Sequence, residues 1–164
     1  MGSVALWGCG RPAPAAAGSG NAPGISASPD AASTSASGPL AGTSWRLVEL
    51  QSMDDAQGTS TPTDRSRYTM RLRADGTVQL QLDCNRATGN WTSEPGADST
   101  SGHFEFGPLA ATLAACPPPT LGERLAAQAP YVRSYFLQDG RLSLSLMADG
   151  GIWIWEPEPD GPSR

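Results

Sequence analysis

The chain contains no lysine, a single histidine and three cysteines, so its eleven basic side chains are all arginine. The missing lysines reflect a bias in residue usage and carry no chemistry. Sixteen acidic residues bring the net charge to -5. A nucleic-acid partner would need a basic domain with stacking aromatics around its arginines. The one basic cluster is Arg65, Arg67, Arg71 and Arg73, with Arg71 and Arg73 on one face of a strand, and it reads as a solvated strand face. No nucleic-acid partner is expected. The scarcity of histidine also limits catalysis, because a nucleophilic cysteine is usually activated by an adjacent base. His103, in GHFEFG, cannot be placed against a cysteine from sequence. There is no Cys-x2-Cys pair for zinc, no Gly-x-Ser-x-Gly and no phosphate loop. Carboxylates are plentiful (Asp54, Asp55, Asp83, Glu94, Glu105, Glu123), but none sits in an apolar motif that would raise its pKa. The expectation is a non-enzyme with no cofactor and no metal. A hydrolase is the least favoured reading. No segment approaches the roughly 18 apolar residues of a membrane span.

Hydrophobic residues make up 38% of the chain, and the deficit is local. Residues 10–39 are mostly Ala, Gly, Ser and Pro. Such a stretch cannot bury enough apolar surface to offset its chain entropy, so it reads as a disordered tether. The folded region is expected over 40–156, with a frayed polar tail over 157–164.

Ahead of the tether, Leu6-Trp7-Gly8-Cys9 resembles a bacterial lipobox, whose cysteine becomes the lipidated first residue. Only eight residues precede Cys9 and none is basic, whereas a secretory signal carries a basic start and an apolar stretch of about 7–15 residues. Residues 1–9 are therefore read as a remnant or truncated lipoprotein signal. The expected membrane contact is a lipid anchor on Cys9. Gly10 in place of Asp favours the outer membrane, on the periplasmic side of the cell envelope.

With Cys9 assigned to lipid, Cys84 and Cys116 remain in the folded region. An exported chain most simply pairs them. That bond would close a loop worth about 3–4 kcal/mol on the chain-entropy model. Unpaired structural cysteines and a reactive thiol are the alternatives.

Most of the folded region alternates with period two, the pattern of half-buried strands. In RYTMRLR, Tyr68, Met70 and Leu72 share a face. In TVQLQLDC, Val78, Leu80 and Leu82 do the same. Asp75-Gly76 between them predicts a tight hairpin turn. Phe104 and Phe106 of HFEFG point inward. Thr120 and Glu123 have the spacing of a capping box, predicting a helix over 120–128 that ends at Pro130. Asp139-Gly140 then joins YVRSYFLQ to RLSLSLM, and IWIWEP closes the sheet. The fold class is mainly β (α+β): a curled antiparallel sheet of about seven strands with one helix before the last hairpin.

Four stretches in order, LAGTSWRL (40–47), DCNRATGNW (83–91), TLAAC (112–116) and DGRLSLSL (139–146), resemble the hallmarks of the META domain, also called the HslJ-like domain. They span nearly the whole folded region. Asp83 stands where that family usually has Gly, and Trp91 where Tyr is common. The resemblance implies a small β-rich domain of exported or lipid-anchored envelope proteins. It links the chain to heat and stress responses, antibiotic tolerance and secretion, without a defined enzyme activity. Asn85 is expected in a left-handed turn, Arg86 pointing outward and Trp91 in the core. Asn85 and Arg86 are candidates for a polar recognition site. Trp153 and Trp155 are candidates for a contact surface or for core. The leading functional reading is a stress-related envelope binding module, with an envelope protein or small ligand as partner. The alternative is a periplasmic inhibitor of an enzyme such as lysozyme, acting through loop 58–66 or 94–102.

Overall fold

The structure, a computed structural model, describes residues 38–53 and 58–159. Cys9, the signal remnant and most of the tether lie outside the described residues. The chain runs β1 (Thr43–Gln51), β2 (Thr59–Ser60), β3 (Tyr68–Leu72), β4 (Thr77–Leu82), β5 (Asn85–Pro95), β6 (Ser101–Phe106), β7 (Ala110–Ala111), α1 (Gly122–Gln128), β8 (Val132–Gln138), β9 (Arg141–Leu146) and β10 (Ile152–Pro157). Strands pair in the order β10-β9-β8-β6-β5-β4-β3-β1, and β1 pairs β10 in turn, closing an antiparallel barrel. The short β2 adds to β1, and β7 to β5. The curled sheet is thus a closed one with eight strands in its wall, and closure removes the long unpaired edges that an open sheet exposes.

Each wall strand turns one face inward, as its alternation requires. Tyr68, Met70 and Leu72 from β3 meet Val78, Leu80 and Leu82 from β4 in the core, and Leu142, Leu144 and Leu146 line β9. Aromatic rings form a continuous run across the interior. Trp91 stacks on Phe104 at 5.8 Å, Phe104 meets Phe106 edge-on at 4.9 Å, Phe106 approaches Trp153 at 6.3 Å and Trp153 meets Trp155 at 6.3 Å. Two bulges break the simple alternation. Val48 is the extra residue where β1 faces β10, and Arg133 where β8 faces β9. A bulge raises the local twist and bends its strand, which suits the curvature of a closed wall.

The hairpin turns form at the dipeptides that predicted them. Asp139 and Gly140 both hold positive φ, 51° and 73°, the requirement of a two-residue type I′ turn. At the β3–β4 turn, the Thr77 hydroxyl and then its backbone N–H donate to Asp75 and hold that carboxyl below its ordinary value.

Three boundaries differ from expectation. Gly38 and Pro39, assigned to the tether, already form the turn that delivers Leu40 into the core, with Ala41 N–H donating to Gly38 C=O. At the other end, Pro157 pairs with Trp45, and Glu158 N–H donates to Ser44 C=O, so the chain is still held at 158. The helix starts at Gly122, not Thr120, without a capping box. The Tyr68 hydroxyl takes the Leu121 N–H, and the Thr120 hydroxyl takes that of Gly122. The helix lies across the barrel end where β3 begins and β4 finishes; it sends Leu125 into the core, and Ala129 follows from the 3-10 turn just past its end. Gly122 allows that approach, because a Cβ there would sit 2.5 Å from Leu82 O.

The glycines separate conformational from steric need. Gly140 has φ +73° and open space where a Cβ would stand, whereas Gly151 has φ +118° and its Cβ would strike the Gln51 backbone carbonyl. Gly140→Ala is expected to cost about 1–2 kcal/mol, the penalty of a left-handed L-residue. Gly151→Ala should cost clearly more, because β1 and β10 must separate to admit it. Urea unfolding of the two variants measures the order.

Candidate functional site

Strands β4 and β5 are joined by Asp83 and Cys84. The left-handed residue is Asp83, at φ 65°, whereas Asn85 is the first residue of β5. That corrects the expectation for Asn85. It also explains the departure at 83: the position needs positive φ, which glycine meets freely and Asp tolerates better than most residues. The buried Asp83 carboxylate lies 2.6 Å from the half-exposed Arg67 guanidinium.

Cys84 forms a disulfide with Cys116, their Cα atoms 5.7 Å apart. The bond fastens a strap, residues 110–119, across the start of β5. Asn85 fastens the same strap from inside. Its Nδ2 donates to Ala114 O at 2.8 Å, while its Oδ1 accepts from Ala114 N–H at 2.7 Å and from the Thr112 hydroxyl at 2.9 Å. Thr112 N–H donates to Arg86 C=O, and the Thr112 hydroxyl accepts from Arg86 N–H. One buried amide thereby supplies the strap with the hydrogen bonds that a full strand would take from a neighbour. Gly89 completes the fit, since a Cβ there would meet Pro108 O at 2.5 Å.

Adjacent residues of a strand face opposite ways, so Asn85 and Arg86 do not form one site. Arg86 projects outward, as expected, onto the outer face of β3, β4 and β5. Cross-strand register sets two polar rows there: Thr69, Gln81 and Arg86, and beside it Arg71, Gln79 and Thr88. With Ser66, Leu80, Ala87 and Glu158 they line a cavity of about 400 Å³. The reading of Arg71 as a plain solvated face missed this grouping. Its signal was present in the alternation of the β3–β4 hairpin, which aligns Arg71 with Gln79 once the Asp75-Gly76 turn fixes register.

The other arginines of the basic cluster are matched by carboxylates: Arg65 with Glu156, Arg67 with Asp83 and Arg73 with Asp75. Arg71 is paired more loosely, its Nε 3.8 Å from Glu158 Oε2 and beyond hydrogen-bond reach. Arg86 makes no ion pair among the described residues.

A second, apolar cavity of about 200 Å³ lies between strap residues 111–115 and α1, over Leu82 and Asn85. Leu113, 92% exposed, stands at its lip. Trp153 and Trp155 are both core, 2% and 0% exposed, so they offer no contact surface in this conformation. Trp153 Nε1 donates to Gln128 Oε1 of α1. Trp91, also buried, donates from Nε1 to Arg73 O. His103 sits outside the barrel, 3.2 Å from Glu105 and far along the sheet from the cysteines. Loop 58–66 contains β2 and leads into a short 3-10 turn at Arg65–Arg67, and 94–102 is the β5–β6 hairpin end. Among the described residues no group of three or more His, Cys, Asp or Glu side chains is placed to hold a metal ion, and no helix is long and apolar enough to cross a membrane.

The family model of the META domain matches residues 38–157. The chain belongs to the META domain family. The matched span begins at the Gly38 turn and ends with β10, so it is the whole barrel. The DCN and TLAAC stretches of this META domain are the two sides of the junction just described. Among solved structures, a DUF4847 family protein from Bacteroides vulgatus ATCC 8482 is 13% identical, with a TM-score of 0.44 over 71% of this chain and 93% of that one. No curated protein matches the chain.

Asn85→Ala removes the partners of buried strap groups, each such loss costing about 1–3 kcal/mol. It is expected to destabilise the META domain by about 2–4 kcal/mol, against about 0.5 kcal/mol or less for Arg86→Ala. Chemical denaturation of both oxidised variants gives the comparison.

Proposed function

We propose that this META domain is a non-catalytic binding module on the periplasmic side of the cell envelope, tethered to the outer membrane through a lipid on Cys9. The observation that supports the setting most is the Cys84–Cys116 disulfide, since such bonds persist in oxidising compartments and are rare in the cytosol. Cys9 is then the odd cysteine, placed before a tether that gives the barrel reach from a membrane surface. The candidate nucleophiles lack a base: Cys84 and Cys116 are consumed in the bond, and His103 is paired to Glu105 on another part of the wall. Binding is the reading that the polar face around Arg86 supports. The stress-related role is part of this proposal and is supported by the resemblance to the HslJ-like family alone.

Intact mass of the native protein, isolated from its own cells without reductant, tests this setting. The expected mass has an acylated Cys9 as first residue and is two hydrogens short for Cys84 and Cys116. An unmodified chain with free thiols would place the protein in a reducing compartment and remove the envelope reading.

A further inference from the structure

The geometry points to a carboxylate-binding site on the outer face of β3, β4 and β5, with Arg86 as its anchor and Arg71 as its second cation. It deepens the binding-module reading by naming what the module would hold, and it rests on that reading only for its biological setting.

Three observations carry it. First, the side-chain hydrogen-bonding capacity at the centre of this face is unused. Among the described residues the side chains of Arg86, Gln79, Gln81, Thr69 and Thr88 make no hydrogen bond to one another, although register puts them in two adjoining rows. Elsewhere on this barrel several arginines are matched to carboxylates. Arg46 is bonded to Glu156 at 2.7 Å and Arg67 contacts Asp83 at 2.6 Å. Arg86 has a planar fork of donors and no such partner, and that fork fits a carboxylate by two parallel hydrogen bonds.

Second, the charge count selects the anion. The cavity wall holds two guanidiniums, Arg71 and Arg86, and one carboxylate, Glu158. A carboxylate ligand would bring this set to neutrality. A phosphate, near -2 at neutral pH, would leave an excess of negative charge beside Glu158 on a chain already at -5. Glu158 holds the second cation only by a long ion pair, 3.8 Å from Arg71 Nε, and Glu158 Oε2 carries no hydrogen bond. Arg71 can therefore turn to a ligand at little cost.

Third, the size fits a small polar molecule. The cavity of about 400 Å³ is within the range of small-molecule sites. Its lining runs from β5 across β4 to β3, two strand spacings or about 10 Å of sheet, with Ser66 and Glu158 completing the wall. The two Gln amides between the cations both donate and accept, so they can read peptide or hydroxyl groups next to the carboxylate. Two small polar sources share this chemistry: the C-terminus of a short peptide and a uronic-acid sugar.

The test titrates the oxidised full chain with N-acetyl-D-alanyl-D-alanine, its C-terminal amide, glucuronic acid and glucose, following backbone amide shifts of β3–β5 by NMR. Saturable shifts centred on Arg86 and Gln81 are expected from at least one carboxylate probe and not from its uncharged counterpart. Whichever acid responds identifies the source. Arg86→Ala should weaken that binding about tenfold or more while the unfolding midpoint stays put, and Arg86→Lys should restore little of it, because an ammonium lacks the fork. Inorganic phosphate should not compete. No saturable response to either acid up to about 10 mM, equal binding of an acid and its uncharged counterpart, or full affinity in Arg86→Ala would overturn the assignment. These outcomes are independent of the mass of the native protein, so the site and the envelope setting fail separately.

Discussion

The Asn85 carboxamide joins two distant chain segments from inside, beside the disulfide and the short β7 pairing that also hold them together. Its oxygen and nitrogen both reach Ala114, 29 residues away, and its oxygen also takes the Thr112 hydroxyl. A buried amide is favourable only when its capacity is satisfied, so Asn85 can be buried at the start of β5 only while the strap lies against it. The strap in turn is otherwise mostly exposed, and its one large apolar side chain does not hold it down: Leu113 points to solvent at 92% exposure. Its place on the barrel is fixed by this amide, the short β7 pairing and the neighbouring disulfide. The chain passes from the strap through three prolines to α1, so the position of the helix over the barrel end depends on the same junction.

The barrel supplies the rigid frame. Pairing of β1 with β10 joins the first and last strands of the domain, and the interior is filled by aromatic and aliphatic side chains rather than left as a lumen. Function on such a frame falls to outward-facing side chains. Asn85 and Arg86, neighbours in sequence, illustrate the division: one satisfies the strap, and the other is left with its guanidinium free on the polar outer face.

Much of this was legible in the sequence for local reasons. Tyr68, Met70 and Leu72 are inward because strand periodicity leaves them one apolar face, and Asp139-Gly140 turns the chain because both residues accept positive φ. The cysteine pair followed from counting. What was not legible depends on contacts across long separations. The bulges at Val48 and Arg133 answer to closure of the wall, which no local pattern announces. Thr120 and Glu123 had capping spacing, but the Tyr68 hydroxyl, 53 residues away, took the Leu121 N–H. The left-handed position went to Asp83 rather than Asn85 because the disulfide and strap draw Asn85 into the strand. The polar face of Arg71, Gln79 and Arg86 needed the register of three strands at once.

The strap is thus a fixed part of the domain despite its exposure, held by hydrogen bonds to Asn85 and Arg86. Amide hydrogen exchange of the oxidised protein, resolved by residue, puts this to the test. Slow exchange is expected at Thr112 and Ala114, whose N–H groups bond Arg86 C=O and Asn85 Oδ1, with fast exchange at Leu113 between them. Rapid exchange at all three positions, while the β4 and β5 amides stay protected, would contradict it and leave Asn85 without the partners that justify its burial.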